Sequence, residues 1–258
     1  LATLQMLNIM ETFDLKAMGF QSAAAIHHAV EAKRLAFEDR ARFYADPDFY
    51  KTPTEWLLSK EYARERAKLI SPGKILTPAF PGQAPSRGDT TYFTTADANG
   101  MMVSIIQSNY RGMGSGLSPD GLGFMFQNRG ELFALEDGHA NIYAPGKRPF
   151  QTIIPGFATK GGDPWLSFGV MGGDMQPQGQ AQIISNMVDF GLGVQEAGDS
   201  PRWHHGGSSE PTGEAQKGTG VLNLETGVPE ATKAALAAIG WTLAPDPGGY
   251  GGYQAIER

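Results

Sequence analysis

Apolar positions set out the first elements. Leu4, Leu7, Met10 and Phe13 recur every third residue with Met6 and Ile9 beside them, which predicts a short helix with one apolar face. From Ala23 to Tyr44, the residues Ala25, Ile26, Ala29, Val30, Ala32, Leu35, Ala36 and Phe43 fall mostly at three- and four-residue spacings. They predict a long helix, broken by Asp46-Pro47-Asp48. Thr54 reads as the N-cap of a third helix that runs to Leu69 and ends at Ser71-Pro72-Gly73. Residues 71–89, with Pro81-Gly82-Gln83-Ala84-Pro85 among them, have the composition of a linker.

After the linker the pattern turns to strands. Thr91–Ala96 and Met101–Ser108 flank Asp97-Ala98-Asn99-Gly100, a hairpin signal. Leu122–Gln127 is another short apolar run. Phe150–Thr159 and Trp165–Val170 flank Lys160-Gly161-Gly162-Asp163-Pro164, a second hairpin. Gln176–Phe190 reads as a helix with Ile183, Ile184, Met187 and Val188 on its apolar face, followed by a short helix from Val194 toward Pro201. Val221–Leu224 and Trp241–Ala244 read as strands around a helix at Pro229–Ile239, and Asp246-Pro247-Gly248-Gly249 as a turn. No repeat is visible. Helices, linker, then hairpins interleaved with helices fit antiparallel sheet layers covered by helices, an α+β class.

Composition narrows the partners more than the fold. The 258 residues suffice for one large domain or two small ones with a sizeable core. A formal net charge of −6 argues against nucleic acid or an anionic membrane surface as partner. The absence of cysteine removes disulfides, Cys-ligated zinc and a thiol nucleophile. No apolar run approaches the roughly 18 residues of a membrane span. The chain starts Leu1-Ala2-Thr3, with neither initiator Met nor signal-peptide pattern, so it reads as a piece of a longer polypeptide. The compartment stays open, the missing signal pattern favouring the cytoplasm.

Two segments could carry chemistry. In Gly88-Asp89-Thr90-Thr91-Tyr92-Phe93, the Thr90 hydroxyl lies next to the Asp89 carbonyl. Attack there would cut the chain at Asp89-Thr90. The freed α-amine, with a pKa of about 8, could then act as general base for the same hydroxyl. The competing reading is a strand entrance rich in β-branched residues. In Val170-Met171-Gly172-Gly173-Asp174-Met175-Gln176-Pro177, a strand runs through two glycines into a helix N-terminus. Successive amides there can converge on one spot, the geometry of an oxyanion hole; a plain Gly-Gly turn is the alternative. The histidines at 27, 28, 139, 204 and 205 lack metal-ligand spacing and read as structural or surface residues. Gly112-Met113-Gly114-Ser115-Gly116 lacks the Lys-Ser/Thr ending of a phosphate loop.

Taken in order, Asp89-Thr90-Thr91-Tyr92-Phe93, Asp97 with Gly100, Gly114-Ser115-Gly116, Gln127-Asn128, Gly146-Lys147-Arg148-Pro149, Gly172-Gly173 and Ala197…Pro201-Arg202-Trp203-His204-His205 resemble the γ-glutamyltransferase family of N-terminal-nucleophile hydrolases. Gly19-Phe20 and Ala41-Arg42-Phe43-Tyr44-Ala45-Asp46-Pro47-Asp48-Phe49 resemble the end of that family's large subunit. The resemblance spans essentially the whole chain. It implies an αββα sandwich, here as a fragment, and self-cleavage into two subunits. Residues 1–89 would be the tail of the large subunit and residues 90–258 most of the small, catalytic one. It further implies a partner in the remainder of the large subunit, a heterodimer or a dimer of heterodimers, and a small amide substrate, with neither cofactor nor metal.

Carried over by position, Thr90 matches the nucleophile and Ser108 a hydroxyl that bonds to it. Gly172 and Gly173 match the oxyanion amides. Gln151 and Thr152 fall where a Ser-Ser pair helps hold the substrate carboxylate, and Tyr110, with Asn109 beside it, falls on an Asn near the nucleophile. The residues that bind the substrate α-ammonium are replaced by Arg129 and Leu132, and a cation there would repel an ammonium. The stretch from Glu131 to Lys147 is shorter than the expected lid loop. These departures resemble the branch with cephalosporin-acylase-like and oxamate-amidohydrolase-like members. The expectation is a self-cleaving amidohydrolase or acyltransferase working through an acyl-Thr intermediate. An uncleaved, inactive homologue serving as a binding or assembly module is the other reading.

Overall fold

The computed structural model describes residues 1–76, 89–216, 218–244 and 248–258. The segment Pro81–Pro85 of the expected linker and Asp246-Pro247 of the late turn lie outside the described residues.

The first part is helical. α1 (Ala2–Met10) buries Ala2, Met6, Ile9 and Met10, while Leu4 stays 51% exposed, so the packed stripe is rotated from the three-residue series expected. After α2 (Leu15–Met18), α3 (Ala23–Phe43) starts where the Ser22 hydroxyl accepts from Ala25 N. α3 is surrounded rather than amphipathic: Ile26, Val30, Phe37 and also His27, Glu31 and Lys33 are buried. The third predicted helix is two, α4 (Thr54–Leu57) and α5 (Lys60–Ala67). The cap is Ser59, not Thr54: its hydroxyl accepts from Tyr62 N at 3.1 Å and restarts the helix.

β1 (Asp89–Ala96) and β2 (Met102–Tyr110) form an antiparallel hairpin. Asp97 closes the turn, its carboxylate accepting from Asn99 N and Met101 N. β3 (Gly156–Lys160), β4 (Asp163–Val170) and β8 (Tyr253–Glu257) form a second antiparallel sheet in the order β3-β4-β8. The hairpin lies face to face with it. Thr94 Oγ1 meets Ser167 Oγ at 2.6 Å, and Gly169 has no side chain because the Tyr92 ring fills that space. On the other face of β4, Leu166, Phe168 and Val170 pack against Ile183 and Met187 of α6 (Met175–Val188), with Ala197 of α7 (Val194–Asp199) alongside. Strand alternation thus gives β4 one face for the hairpin and one for the helix.

A third sheet, β5 (Trp203–Gly206), β6 (Val221–Leu224) and β7 (Leu243–Ala244), contains a parallel β6–β7 pair and stands beside α8 (Glu230–Ile239). β5 and β8 were not expected from the sequence. Leu122–Gln127 forms no strand; Phe126 N and O bond Leu117 O and Ser115 N, leaving Leu122 and Phe124 exposed in a loop. The main core mixes Met6, Ile9, Val30, Leu35 and Phe37 with Ala181, Trp203, Leu222, Leu236 and Trp241, so residues on either side of Asp89 fold as one body.

α6 is polar where it is buried. Gln176, Gln178, Gln180 and Gln182 are all buried. Gln178 Oε1 accepts from His205 N and its Nε2 donates to His205 O; Gln182 does the same for Trp203. Gln176 Oε1 accepts from Ile154 N, and Gln180 Nε2 donates to Ile154 O. Two amide pairs, each four residues apart, therefore clamp the main chain of β5 on one side and of the 150–155 segment on the other. This is why the expected strand Phe150–Thr159 begins only at Gly156. Gln178→Leu would orphan the main-chain N–H of fully buried His205, whose carbonyl keeps the Lys33 ammonium. The expected loss is about 1–3 kcal/mol, the cost of one unsatisfied group. Denaturant midpoints at an unchanged slope measure it; an unaltered midpoint would show that the clamp contributes nothing.

Candidate active site

β1 places the threonine. Thr90, Tyr92 and Thr94 share the inner face of the hairpin, toward β4, and Thr91 and Phe93 the outer one. Thr94 stands at Ser167 and Tyr92 at Gly169, two residues further along β4. The next step of that register sets Thr90 level with Met171, where β4 gives way to the Gly172-Gly173 turn. Thr90 pairs with Ser108 on β2, and its Oγ1 donates to Ser108 Oγ at 3.1 Å. Between Asp89 and Thr90 the ladder slips: Asp89 faces Tyr110, and Asn109 is left unmatched. Tyr110 has φ +82, a left-handed conformation that a bulky residue adopts only under constraint.

The turn is built of backbone. Gly172 (φ +119) and Gly173 (φ +62) use conformations open to glycine, and their carbonyls accept from Met175 N and Gln176 N as α6 begins. Among the described residues their own amides have no protein acceptor. Asp174 stands at the N-cap of α6, yet its side chain does not cap the helix; Oδ1 accepts from His204 Nε2 at 3.2 Å. Burial alone would raise the Asp174 pKa. His204 and the charge of Lys33 outweigh that and lower it to about 2.

Ser108 joins the threonine to a cation. Arg129, in a 3₁₀ turn (Arg129–Leu132), is 2% exposed. Its Nη1 donates to Ser108 O at 3.1 Å and its Nε to Thr152 Oγ1 at 2.8 Å. Nη2 has no partner among the described residues, and no carboxylate lies within 4 Å. Burial lowers its pKa, opposed only by Tyr110. Buried charges are ordinarily paired, so this guanidinium is a candidate site for an anion. Arg129, expected at the substrate, contacts Ser108 and Thr152, while Leu132 is buried against Tyr110 and Phe150.

A cavity of about 780 Å³ opens beside these groups. Tyr110, Leu132, Gln151, Thr152, Gly173 and Asp174 line it. Thr90, Ser108, Arg129 and Gly172 do not line it; they adjoin it through Tyr110, Thr152 and Gly173. Asn109 is half-buried at the bulge, its carbonyl accepting from Asn128 N. Arg148 binds Asp46 at 2.6 Å and holds that carboxyl well below its usual range, tying the end of α3 to the cavity wall. Of the five histidines, His27, His28, His139 and His205 bond only to neighbouring protein groups, whereas His204 reaches Asp174 beside the glycine turn. Sequence reasoning missed the Asp174–His204 pair and the buried Lys33 near it. Alternating Gln176-Pro177-Gln178-Gly179-Gln180-Ala181-Gln182 was the visible signal that this helix does something unusual. Among the described residues no group of His, Asp and Glu is placed to hold a metal, and no helix is long and apolar enough to cross a membrane.

Comparison with known proteins sets this geometry in a lineage. The family model described as Gamma-glutamyltranspeptidase matches residues 1–258. The chain is 40% identical over 197 residues to the glutathione hydrolase-like YwrD proenzyme of Bacillus subtilis, covering 76% of this chain and 37% of that protein. It is 37% identical over 255 residues to the acylase ACY 1 proenzyme of Pseudomonas sp. strain V22, covering 98% and 43%. The crystal structure of cephalosporin acylase from Bacillus halodurans superposes with a TM-score of 0.83 at 40% identity, over 100% of this chain and 45% of that one. The chain spans less than half the length of these relatives. The hairpin facing a helix-covered sheet is accordingly part of the N-terminal-nucleophile hydrolase sandwich, and the chain belongs to the gamma-glutamyltranspeptidase family.

Proposed function

We propose that this chain carries the catalytic part of a self-cleaving amidohydrolase that prefers an acyl group ending in a carboxylate. The observation that carries the reading is Arg129: a buried guanidinium without an acidic partner among the described residues, bonded to the residue that bonds Thr90.

The chemistry starts within the chain. Thr90 Oγ attacks the Asp89 carbonyl carbon, the Asp89–Thr90 C–N bond breaks, and the resulting ester is hydrolysed by water. Asp89 leaves as a carboxylate, and Thr90 keeps a free α-amine. The ladder slip at this bond and the strained Tyr110 opposite favour that reading. In turnover the amine takes the Thr90 hydroxyl proton as Oγ attacks the substrate carbonyl. The Gly172 and Gly173 amides hold the oxyanion. The ammonium then gives its proton to the leaving nitrogen as the C–N bond breaks. Water, deprotonated by the same amine, resolves the acyl ester, and the proton returns to Thr90 Oγ; an amine acceptor would give transfer instead.

Arg129 favours a terminal carboxylate on the acyl group and disfavours an ammonium. Thr152 and Gln151 stand at the same wall. Residues 1–89 are read as the tail of the large subunit and 90–258 as the body of the small one. Phe93, Val103 and Ile105 on the outer face of the hairpin, with Leu117, Leu122 and Phe124 nearby in sequence, are exposed, which suits cover by the remainder of the large subunit.

The test uses the full-length protein. Glutaryl-p-nitroanilide should exceed γ-glutamyl-p-nitroanilide in kcat/KM by about tenfold, roughly 1.4 kcal/mol. Arg129→Gln should move that ratio toward the amine-bearing substrate. A γ-glutamyl preference of the same size would overturn the role of Arg129. A single uncut band on electrophoresis would favour the inactive binding module instead.

A further inference from the structure

Lys33 is the strangest residue of α3: a lysine with no exposed surface and no carboxylate within 4 Å among the described residues. Its ammonium donates to His205 O at 2.9 Å and Ser208 Oγ at 2.7 Å, touches His205 Nδ1 at 3.2 Å, and sits 4.0 Å from the centre of the Phe37 ring. Nothing in the expected chemistry uses it. Its surroundings point to the glycine turn. Gln178 Nε2 donates to both His205 O and Asp174 O, so one amide joins the carbonyl under Lys33 to the residue that follows Gly173. Asp174 is in turn gripped by His204 from β5.

The arrangement resolves an electrostatic conflict. An oxyanion hole must accept a developing negative charge, yet Asp174 sets an ionised carboxylate beside its amides, facing the cavity. An unopposed carboxylate there would raise the barrier it adjoins. We propose that Asp174 is a positioning residue: bonded to His204, it fixes the Gly172-Gly173 turn, and the buried Lys33, joined to residue 174 through His205 O and the Gln178 amide, offsets its charge. The other ionisable groups nearby are Arg40, Glu210, Arg34, His204 and His205. Arg40 and Glu210 lie 3.7 Å apart and offset one another, and Arg34 is held by Glu31 at 2.9 Å. Of the two buried cations acting on Asp174, Arg40 has Glu210 beside it, and Lys33 has no carboxylate within 4 Å among the described residues. Burial lowers the Lys33 pKa to about 7, and Asp174 is the first charge that opposes the fall.

This rests on the acyl-threonine reading, so the full-length protein is assayed first with Thr90→Ala as a blank. Wild-type turnover no greater than that blank would sink both. With Thr90-dependent turnover in hand, Asp174→Ala should lower kcat about 10²-fold, as for a lost oxyanion donor, with KM changed less than about threefold. Asp174→Asn, whose amide oxygen still accepts from His204, should recover most of that loss. Lys33→Met should lower kcat by about tenfold or more, and the pair Lys33→Met with Asp174→Asn should turn over faster than Lys33→Met alone. A merely structural lysine would show no such rescue. Wild-type kcat in Asp174→Ala overturns the proposal, as does a double variant no better than Lys33→Met. Should Lys33→Met fail to fold, the Ala-against-Asn comparison at 174 still decides: equal losses overturn it.

Discussion

Thr90→Ala in the full-length protein should give one uncut chain and turnover lower by about four orders of magnitude or more. The size follows from the double use of one residue. Its hydroxyl is the proposed nucleophile for both maturation and catalysis, and its α-amine, the proposed base, exists only after the cut. Removing a nucleophile from a unit of this kind costs about 10⁴- to 10⁶-fold in kcat, because the partners cannot act alone. The fold should persist. Thr90 is half-buried at the hairpin end, and losing its hydroxyl removes one 3.1 Å bond to Ser108. Electrophoresis and N-terminal sequencing read the cut, and release of p-nitroaniline reads the turnover. Normal subunits in Thr90→Ala would sink the assignment. Thr90→Ser should still cut and turn over, more slowly, since only a methyl is lost.

Gly251→Ala should have the second-largest effect, although Gly251 is not proposed to touch substrate. An added Cβ would lie 1.9 Å from Met171 O and 2.9 Å from Val170 Cγ1, on a backbone at φ +71. Neither atom can retreat easily: Met171 N donates to Gly252 O, and Arg202 donates to Gly251 O. The strain must move the Met171–Gly173 segment, so kcat should fall about 10²-fold or more along with stability. Gly248→Ala supplies the comparison. Gly248 has φ +70 but open space at its Cβ, so only the left-handed penalty of about 1–2 kcal/mol applies, with kcat little changed. Wild-type kcat in Gly251→Ala would free the turn from any catalytic role. Gly173→Val would strain an αL backbone with a β-branched side chain, so it confounds folding with chemistry and is the weaker probe.

Local patterns disclosed most of the fold. The hairpin was legible because Asp97-Ala98-Asn99-Gly100 carries its own turn chemistry, and α3 because its periodicity extends over twenty residues. β5 stayed hidden because Trp203-His204-His205-Gly206 has no alternation; its edge is satisfied by glutamines of α6, a tertiary matter. Thr54 and Ser59 are both cap residues by type, and the structure uses the second. At the proposed site, Thr90 and the Gly-Gly turn were candidates from residue type and order and Ser108 from the family resemblance, but the link from Ser108 to Arg129 could not be read. It depends on the 3₁₀ turn carrying residue 129 back to the end of β2. The Asp174–His204 pair was invisible for the same reason: thirty residues separate its members.

The glutamine clamps have a consequence for how such a site can diversify. They grip peptide groups at 154, 203 and 205, and a peptide group is the same whatever side chain it carries. A residue of the cavity wall such as Gln151 can therefore be exchanged while the scaffold goes on recognising an unchanged main chain. Innovation in substrate and permanence of frame are thereby assigned to different atoms. Exchange of Gln178, Gln180 or Gln182 for glutamate, which can accept but not donate, would break that separation.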